Sequence, residues 1–587
     1  MATLEELFET QQVDTPPSSL RGILQTKDYR EFIILSDTGD LLHTFTGAIF
    51  ANKCLPGDHV EWRDDRCHLE LRDEHPPLVG TLELTSKARY GLTSRGIPMY
   101  LFTPYSKSYP PLIVGCSEKD TSCNRIALVT LDTWTKMFPR GHLKTILGVS
   151  GEYEAEKTAL IWQACPYVYP KYDYQPTATS ATTTKNTLAG YTFHIDPPGC
   201  RDVDDVFTFE EIEEGQWKVT ITISDVAHYV AEDSPIDIMA SLIGQSLYDT
   251  TGTVLRPMLP PAYSEDACSL LPGKLCHGVS LQFVWDGAIH DCQWLESTVI
   301  VYQSYTYDEF QASSSLYRPI LAAIASYLAE TEVTCAHGWV EQMMIFYNKQ
   351  AGSILQRVGQ GILRKHSVPN MKRLHTYQQH LSHVANIQAL AYSSATYCLA
   401  DETDAVHYGL QSAHYAHASS PIRRYADLIN QRVLKNYIQQ TEVRFIVPQA
   451  MYDMNRREKA IKHFARDMEF LTAITQPTSV VRAIILEKIK QGDQMKIRLY
   501  VPVWRRTIST QYRYMSENCA LSRDEMREID VTDFTEVQLE YACQINARNW
   551  KERIIISIVP LSFASSVDKG TLVDEGTLVD EGTLVHA

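Results

Sequence analysis

The chain has 587 residues, 71 acidic against 54 basic side chains, and a formal net charge of −17. A hydrophobic content of 44% with 21% charged residues is that of a soluble globular protein, and the length exceeds one core, so three or four domains are expected. The acidic balance excludes a generally basic nucleic-acid coat, and any phosphate contact must come from a locally positive lining.

No run approaches 18 apolar residues, so no transmembrane helix and no membrane partner are expected. The first residues, MATLEELFETQQ, lack the basic and apolar regions of a signal peptide. Thirteen Cys without a CxxC or framework spacing point to reduced thiols inside a cell, in the cytoplasm or alternatively in the nucleus or a virion.

Residues 1–19 are polar, end in TPPSS and read as disordered. Short β-type runs (RGILQT, EFIILSDTGDLLHTF, DHVEWRDDRCHLEL) then define a small β domain over 20–77. A second set (GTLELTS, PMYLFTP, PPLIVGC, RIALVTL) gives another over 78–172, in which Tyr90, Tyr100 and Phe102 read as core aromatics before base-stacking ones. The Thr- and Ser-rich stretch 173–190 is a linker or exposed loop. The central domain is assigned to 191–476. Its β-rich start is followed, from about 318 to 475, by helical patterns in YRPILAAIASYLAE, VEQMMIFYNKQAGSILQRV and VANIQALAYSSATYCLA. Strands first and helices later make it α+β. β character returns over 477–562, and an acidic tail with three VDKGTL/VDEGTL copies fills 563–587.

The most informative stretch is HIDPPGCRDVDDV, residues 194–206. Pro197, Pro198 and Gly199 turn the chain between Asp196 and the trio Asp202, Asp204 and Asp205. Four carboxylates gathered this way repel one another unless a proton or cation neutralises them, and hard oxygen donors suit Mg²⁺ or Mn²⁺. A metal-assisted phosphodiester site is the first functional expectation. A solvated acidic turn is the bland alternative, and a calcium loop fits poorly because the ligand spacing is wrong.

Further motifs follow in order: ISDVAHYV (223–230), RPMLP (256–260), CSLLPG (268–273), YDEF (307–310), LRKH (363–366) and HYAHASSPIRRYADLINQRVL (414–434). Together with HIDPPGCRDVDD they resemble the ribonuclease II family of 3′-to-5′ exoribonucleases, in the exosome-type branch. The resemblance implies a multidomain fold: two N-terminal cold-shock-like OB barrels, a central α+β RNB catalytic domain and a C-terminal S1-like OB barrel. That branch can also carry a separate N-terminal endonuclease domain; the residues ahead of HIDPPGCRDVDD are taken up by two β domains, so none is expected here. The resemblance also implies single-stranded RNA as substrate, Mg²⁺ (Mn²⁺ possible) as cofactor, release of 5′-mononucleotides and a monomeric catalytic unit. RNA-processing or viral assembly partners, or an RNA-binding or scaffold protein that keeps the fold, remain open alternatives.

By the same resemblance Asp196, Asp202, Asp204 and Asp205 are the metal-holding carboxylates, Asp202 and Asp204 also being catalytic, with Asp196 and Asp205 the expected direct ligands. Asp204 is the expected residue whose loss stops cleavage with least effect on binding. Ser420 is expected as a helix N-cap with Pro421 at the first helical position, which puts Arg423 and Arg424 in the first turn as catalytic cations. Arg423 is the expected phosphate ligand. Tyr248 and Tyr307 match the family's base-contacting tyrosines, and Glu341 its terminal-nucleotide contact. Here the usual second Glu is Gln342, Thr222 stands for a His, and Ser419 stands for a Thr. Other basic clusters (Arg364, Lys365 and His366; Arg456, Arg457, Lys459 and Lys462) read as channel lining or as solvated faces.

Overall fold

A computed structural model of the chain describes residues 20–37, 39–72, 75–172, 174–178, 186–384, 386–442, 448–474, 480–521, 528–543 and 554–559. The expected disordered N-terminus, 1–19, and the repeat tail, 563–587, lie outside them. Two compact units result, one carrying residues 20–166 and one carrying the described residues from Tyr167 onward.

In the first unit, strands β1 (Leu20–Thr26), β2 (Glu31–Leu35), β3 (Leu41–Thr46), β4 (His59–Arg63) and β5 (Arg66–Leu71) form an antiparallel sheet in the order β3-β2-β1-β4-β5, with a short helix α1 (Ala48–Ala51) between β3 and β4. Leu24, Phe32, Ile34 and Val60 fill its core. No ladder joins β3 to β5 among the described residues, so the expected barrel is an open sheet with OB strand order.

Strands β6 (Leu78–Leu82), β7 (Met99–Pro104), β8 (Leu112–Gly115), β9 (Arg125–Leu131) and β10 (Arg140–Val149) follow, with helix α2 (Tyr153–Ala164). They repeat the same order, and here β10 closes on β8 in parallel to complete the barrel. Tyr100 and Phe102 are buried in its core. This domain ends at Pro166 and not at 172, because Tyr169 belongs to the second unit, where its hydroxyl donates to Met258 O at 2.7 Å.

The central domain is built on β11 (Tyr191–Asp196), β12 (Asp205–Glu213) and β13 (Gln216–Ser224), then, after helix α3 (Pro235–Ile243) and the small hairpin β14 (Leu247–Tyr248) and β15 (Val254–Arg256), on β16 (Leu275–Trp285), β17 (Ile289–Ile300) and β18 (Gln303–Thr306). Its sheet order is β17-β16-β13-β12-β11-β18, antiparallel except for the parallel β11–β18 pair. Alternation puts Phe193, Phe207, Ile221 and Leu281 on one face, where they bury against Leu321 and Ile324 of α5 (Tyr317–Ala329) and Met343 and Tyr347 of α6 (Ala336–Val358). Helix α4 (Tyr307–Ala312) precedes these two. The opposite face carries buried hydroxyls that satisfy one another: Thr192 with Thr208 at 2.8 Å, Thr222 with Ser280 at 2.8 Å, and Ser280 with Ser297 at 2.6 Å. The expected linker is partly ordered structure: Leu188 N–H donates to Thr298 O and Thr298 N–H to Asn186 O, so this domain begins before 191.

Strand β19 (Ile362–Lys365), helix α7 (Met371–His380), strand β20 (Thr396–Leu399), helix α8 (Tyr425–Gln439) and helix α9 (Pro448–Ile474) complete the domain. The stretch 384–400, expected as helix, is one 3₁₀ turn at Ile387–Ala391 followed by β20. Its Thr396 and Tyr397 pair with β19 through Lys365 and Arg364, a long-range ladder that outweighs the local helical pattern.

The C-terminal strands are β21 (Val480–Gln491), β22 (Gln494–Val501), β23 (Arg506–Ser516), β24 (Cys519–Leu521), β25 (Glu528–Asp530), β26 (Glu536–Cys543) and β27 (Ile554–Val559). Their order, β25-β24-β23-β22-β21-β26-β27, contains the OB order a third time. Among the described residues no ladder joins β27 to β23, so the expected S1-like barrel is an open seven-stranded sheet, extended at the far end of β23 by β24.

Candidate active site

Strand β11 ends at Asp196 and β12 begins at Asp205, so residues 197–204 must reverse the chain. The turn is made where the prolines and glycine predict it. Cys200 N–H donates to Pro197 O at 3.1 Å, and Gly199 sits at φ +79°, a conformation that costs glycine little. Ser269, from the CSLLPG motif, pins the far side of the loop: its Oγ donates to Arg201 O at 2.7 Å and accepts Val203 N–H at 3.0 Å. The carboxylates are thereby held at one end of the sheet.

Each has a specific environment. Asp196 Oδ2 lies 2.7 Å from His194 Nδ1. Asp202 Oδ2 accepts the Tyr248 hydroxyl at 2.8 Å, and its Oδ1 accepts Cys200 Sγ at 3.5 Å. Asp205, half-buried, opens β12 opposite Ile223. Asp204 is buried, its Oδ1 accepts Ile422 N–H at 2.9 Å, and its Oδ2 is 3.5 Å from Arg423 Nε. Burial pushes the Asp204 carboxyl well above the usual carboxylate range, against the opposing pull of Arg423 and of the Ile422 N–H. Burial likewise raises the Tyr248 hydroxyl, which keeps it a proton donor to Asp202.

The SPIRR segment arrives differently from the local expectation. Helix α8 begins at Tyr425, its N-cap is Arg424, and Ser420 caps nothing. Residues 420–424 form a turn in which the N–H groups of Arg423 and Arg424 both donate to Ser420 O. The turn is fixed by tertiary partners: Ser246 N–H donates to Arg423 O, Tyr425 N–H to Gly244 O, and Asp427 accepts both Ser420 N–H and Arg424 Nη2 at 2.8 Å. Arg424 is extended, which sends neighbouring side chains to opposite sides. Arg423 therefore meets Asp204 while Arg424 is committed to Asp427, so only one of the two expected catalytic arginines faces the carboxylates.

Tyr307 directly follows Thr306, the parallel partner of Asp196, and so lies at the same sheet end. Its ring is largely buried and stacks on His337 at a centroid distance of 3.7 Å. Glu341, half-buried, is one helical turn beyond His337 on α6. In the other basic clusters, three cations are committed to carboxylates. Arg364 is fully buried against Glu458 at 2.5 Å, Lys365 pairs with Glu402, and Lys462 shares Glu458.

Among the described residues no three His, Cys, Asp or Glu side chains converge to hold a metal ion. The donors present are hard carboxylate oxygens. That set fits Mg²⁺, which is bound through one or two carboxylates with water and phosphate in its remaining positions, and not a closed protein cage.

Three residues escaped the sequence reading. Asn348 on α6 is buried and bonds the Tyr415 hydroxyl, Ser419 Oγ and Ala418 N–H. Asn430 bonds both backbone groups of Ile362 and the carbonyl of His417. With Asp427 they hold segment 415–424 against the acidic loop. A buried amide inside an amphipathic helix leaves no local signature, and an Asp in a first turn reads only as a dipole partner.

Residues 185–317 and 323–440 match the RNB domain family, and residues 99–164 match the Dis3-like cold-shock domain 2. The human exosome complex exonuclease RRP44 is 24% identical over 427 residues, covering 57% of this chain and 44% of the human protein. Ribonuclease R of Vibrio parahaemolyticus is 25% identical over 324 residues, covering 43% of this chain and 39% of that protein. The chain thus spans less than half the length of these curated relatives. Among solved structures, apo RNase R of Mycoplasma genitalium superposes with a TM-score of 0.67 at 16% identity, covering 92% of this chain and all of that one. Yeast Ssd1, described as a pseudonuclease, superposes with a TM-score of 0.64 at 15% identity, covering 89% and 81%. The chain therefore carries an RNB domain across residues 185–440, with a Dis3-like cold-shock OB domain ahead of it.

Proposed function

We propose that the chain is a 3′-to-5′ exoribonuclease that hydrolyses single-stranded RNA to 5′-mononucleotides, using Mg²⁺ or Mn²⁺. The observation that carries this reading is the meeting of Asp204 with the Ile422–Arg423 turn at the carboxylate end of the sheet. Phosphodiester hydrolysis needs anionic donors on one side of the phosphate and a cation on the other, within reach of one group. Bound Mg²⁺ would supply Lewis-acid polarisation of the phosphate and an activated water.

The chain's own residues have the remaining tasks. Asp196, which ends β11, and Asp205, which opens β12, are the residues that would hold the ion. Tyr248 orients Asp202 through its hydroxyl and offers a ring for base stacking. Arg423, a third exposed, can leave Asp204 for a non-bridging phosphate oxygen as negative charge grows there. Tyr307, His337 and Glu341 form the neighbouring wall, where the terminal nucleotide would lie. The three domains with OB strand order are suited to guiding a single strand by stacking and local charge. The names of the relatives support the same reading: an exosome exonuclease and ribonuclease R. A solved RNase R complex holds ribose-methylated single-stranded RNA.

A second reading has one observation in its favour. The pseudonuclease Ssd1 shares the fold, so an RNA-binding protein without hydrolysis is compatible with the architecture. The complete set of four carboxylates and the placement of Arg423 favour hydrolysis. The test is a 5′-labelled RNA of about 30 nucleotides, longer than one OB site, incubated with Mg²⁺ beside an EDTA control. A ladder shortening from the 3′ end only with metal supports the exonuclease. Retained binding without cleavage in Mg²⁺ or Mn²⁺ refutes it in favour of the RNA-binding reading.

A further inference from the structure

His194 stands two residues before Asp196 on β11, so both side chains leave the strand on one face, opposite Phe193 and Ile195. That face is the buried hydroxyl face, and His194 is only 3% exposed. Its Nδ1 lies 2.7 Å from Asp196 Oδ2, while its Nε2 is buried with no hydrogen-bond partner among the described residues. With an acceptor at one nitrogen and none at the other, the ring proton belongs on Nδ1. Asp196 Oδ2 is then an occupied acceptor, and Oδ1 is the oxygen left for another ligand.

The sheet register adds a second observation. Phe193 pairs with Phe207, and Val206 pairs with Thr222, which places His194 and Thr222 in one row with Val206 between them. Thr222 stands where the family resemblance expects a His, and its hydroxyl is taken by Ser280. The row therefore carries one imidazole, on the strand that ends in Asp196.

We propose that His194 is a positioning residue for the metal site: its Nδ1–H fixes the Asp196 carboxylate so that Oδ1 is presented to the ion. A hydrogen bond of this kind removes the rotation of a carboxylate ligand, and outer partners of metal ligands commonly carry about 10–100-fold of the affinity. The inference rests on the reading of the acidic cluster as a divalent-metal site.

The test measures Mn²⁺ affinity of the full chain by EPR titration of free Mn²⁺, without RNA, for the wild type, D196A, H194A and H194N. Asn carries an N–H donor near the position of Nδ1 and Ala carries none. The expected result is a loss of about 10–100-fold in H194A, recovery to within about threefold in H194N, and RNA affinity in EDTA unchanged in both. If H194A proves unfolded by circular dichroism, H194N and H194L carry the comparison, since both fill the site and only one donates. Affinity equal to wild type in the donor-less variant, with D196A impaired, overturns the proposal and leaves the metal site standing. Absence of Mn²⁺ binding in the wild type overturns the metal reading itself, and the proposal with it. A loss in H194N as large as in H194A also overturns it, since the donor would then be irrelevant.

Discussion

Asp427 is the keystone of the SPIRR turn, and its removal gives the sharpest prediction. In Asp427→Ala two hydrogen bonds of 2.8 Å disappear, one from Ser420 N–H and one from the Arg424 guanidinium. Hydrogen bonds to a charged group contribute about 1.5–3 kcal/mol each, and breaking a buried ion pair costs about 3–5 kcal/mol. The Arg424 side chain keeps 17% of its exposure and so recovers some hydration, which favours the lower end, about 3 kcal/mol. With an unfolding entropy of about 2.1 cal/mol/K per residue across a domain this large, the melting temperature should fall by about 5 °C in scanning calorimetry. Asp427→Asn keeps an acceptor for Ser420 N–H and should lose about half as much. Because Ile422 and Arg423 ride on the same turn, RNA hydrolysis measured below the melting transition should fall at least about 100-fold in the alanine variant. A melting temperature within 1 °C of wild type together with an unchanged rate (about a unit factor on both) would refute the reasoning that this carboxylate holds the turn.

Three further outcomes are expected. Asp204→Asn retains an acceptor for Ile422 N–H while removing a carboxylate that burial disfavours. It should melt at or above the wild-type temperature, bind RNA normally and lose at least about 10³-fold in hydrolysis; a destabilised variant, or one still active, contradicts this. Tyr248→Phe keeps the ring but frees Asp202, so RNA affinity should hold within about threefold while the rate drops about 10–100-fold, the worth of one charge-assisted hydrogen bond. Acid stability reports on His407, fully buried, whose ring burial pushes its pKa down to about 3. Below its ordinary pKa of about 6.5 the unfolded chain takes up a proton that the folded chain refuses, so stability is complete above that pH and drains away as pH falls. The loss should reach about 2 kcal/mol between pH 6.5 and 5, and urea melts of His407→Gln should show a slope flatter by that amount; parallel slopes would rule this out.

The sequence reveals what local chemistry specifies. Strand β11, the Pro-Pro-Gly turn and β12 follow from alternation and turn residues, and the three sets of short strands from apolar runs between breakers. Tyr100 and Phe102 read correctly as core for the same reason. What stayed hidden depends on partners far along the chain. Arg364 looks like a solvated cation until Glu458, 94 residues on, appears beside it. Ser420 looks like an N-cap until Asp427 claims its N–H and moves the helix start to Tyr425. The stretch from Thr396 to Leu399 has helical periodicity around it but finds a ladder partner in Ile362–Lys365. The division of labour between Arg423 and Arg424 is of the same kind. Two adjacent arginines are equivalent on paper, and only the extended backbone at Arg424 separates them.

The bond between Asp204 and Ile422 spans 218 residues. At a synthesis rate of about 5–20 residues per second, the ribosome makes the carboxylates roughly 10–40 s before the arginine that faces them. Throughout that interval the growing chain carries an acidic loop with no cation opposite it. Under the proposed function, a half-made copy lacks the cation of the site and is therefore expected to be inert toward RNA.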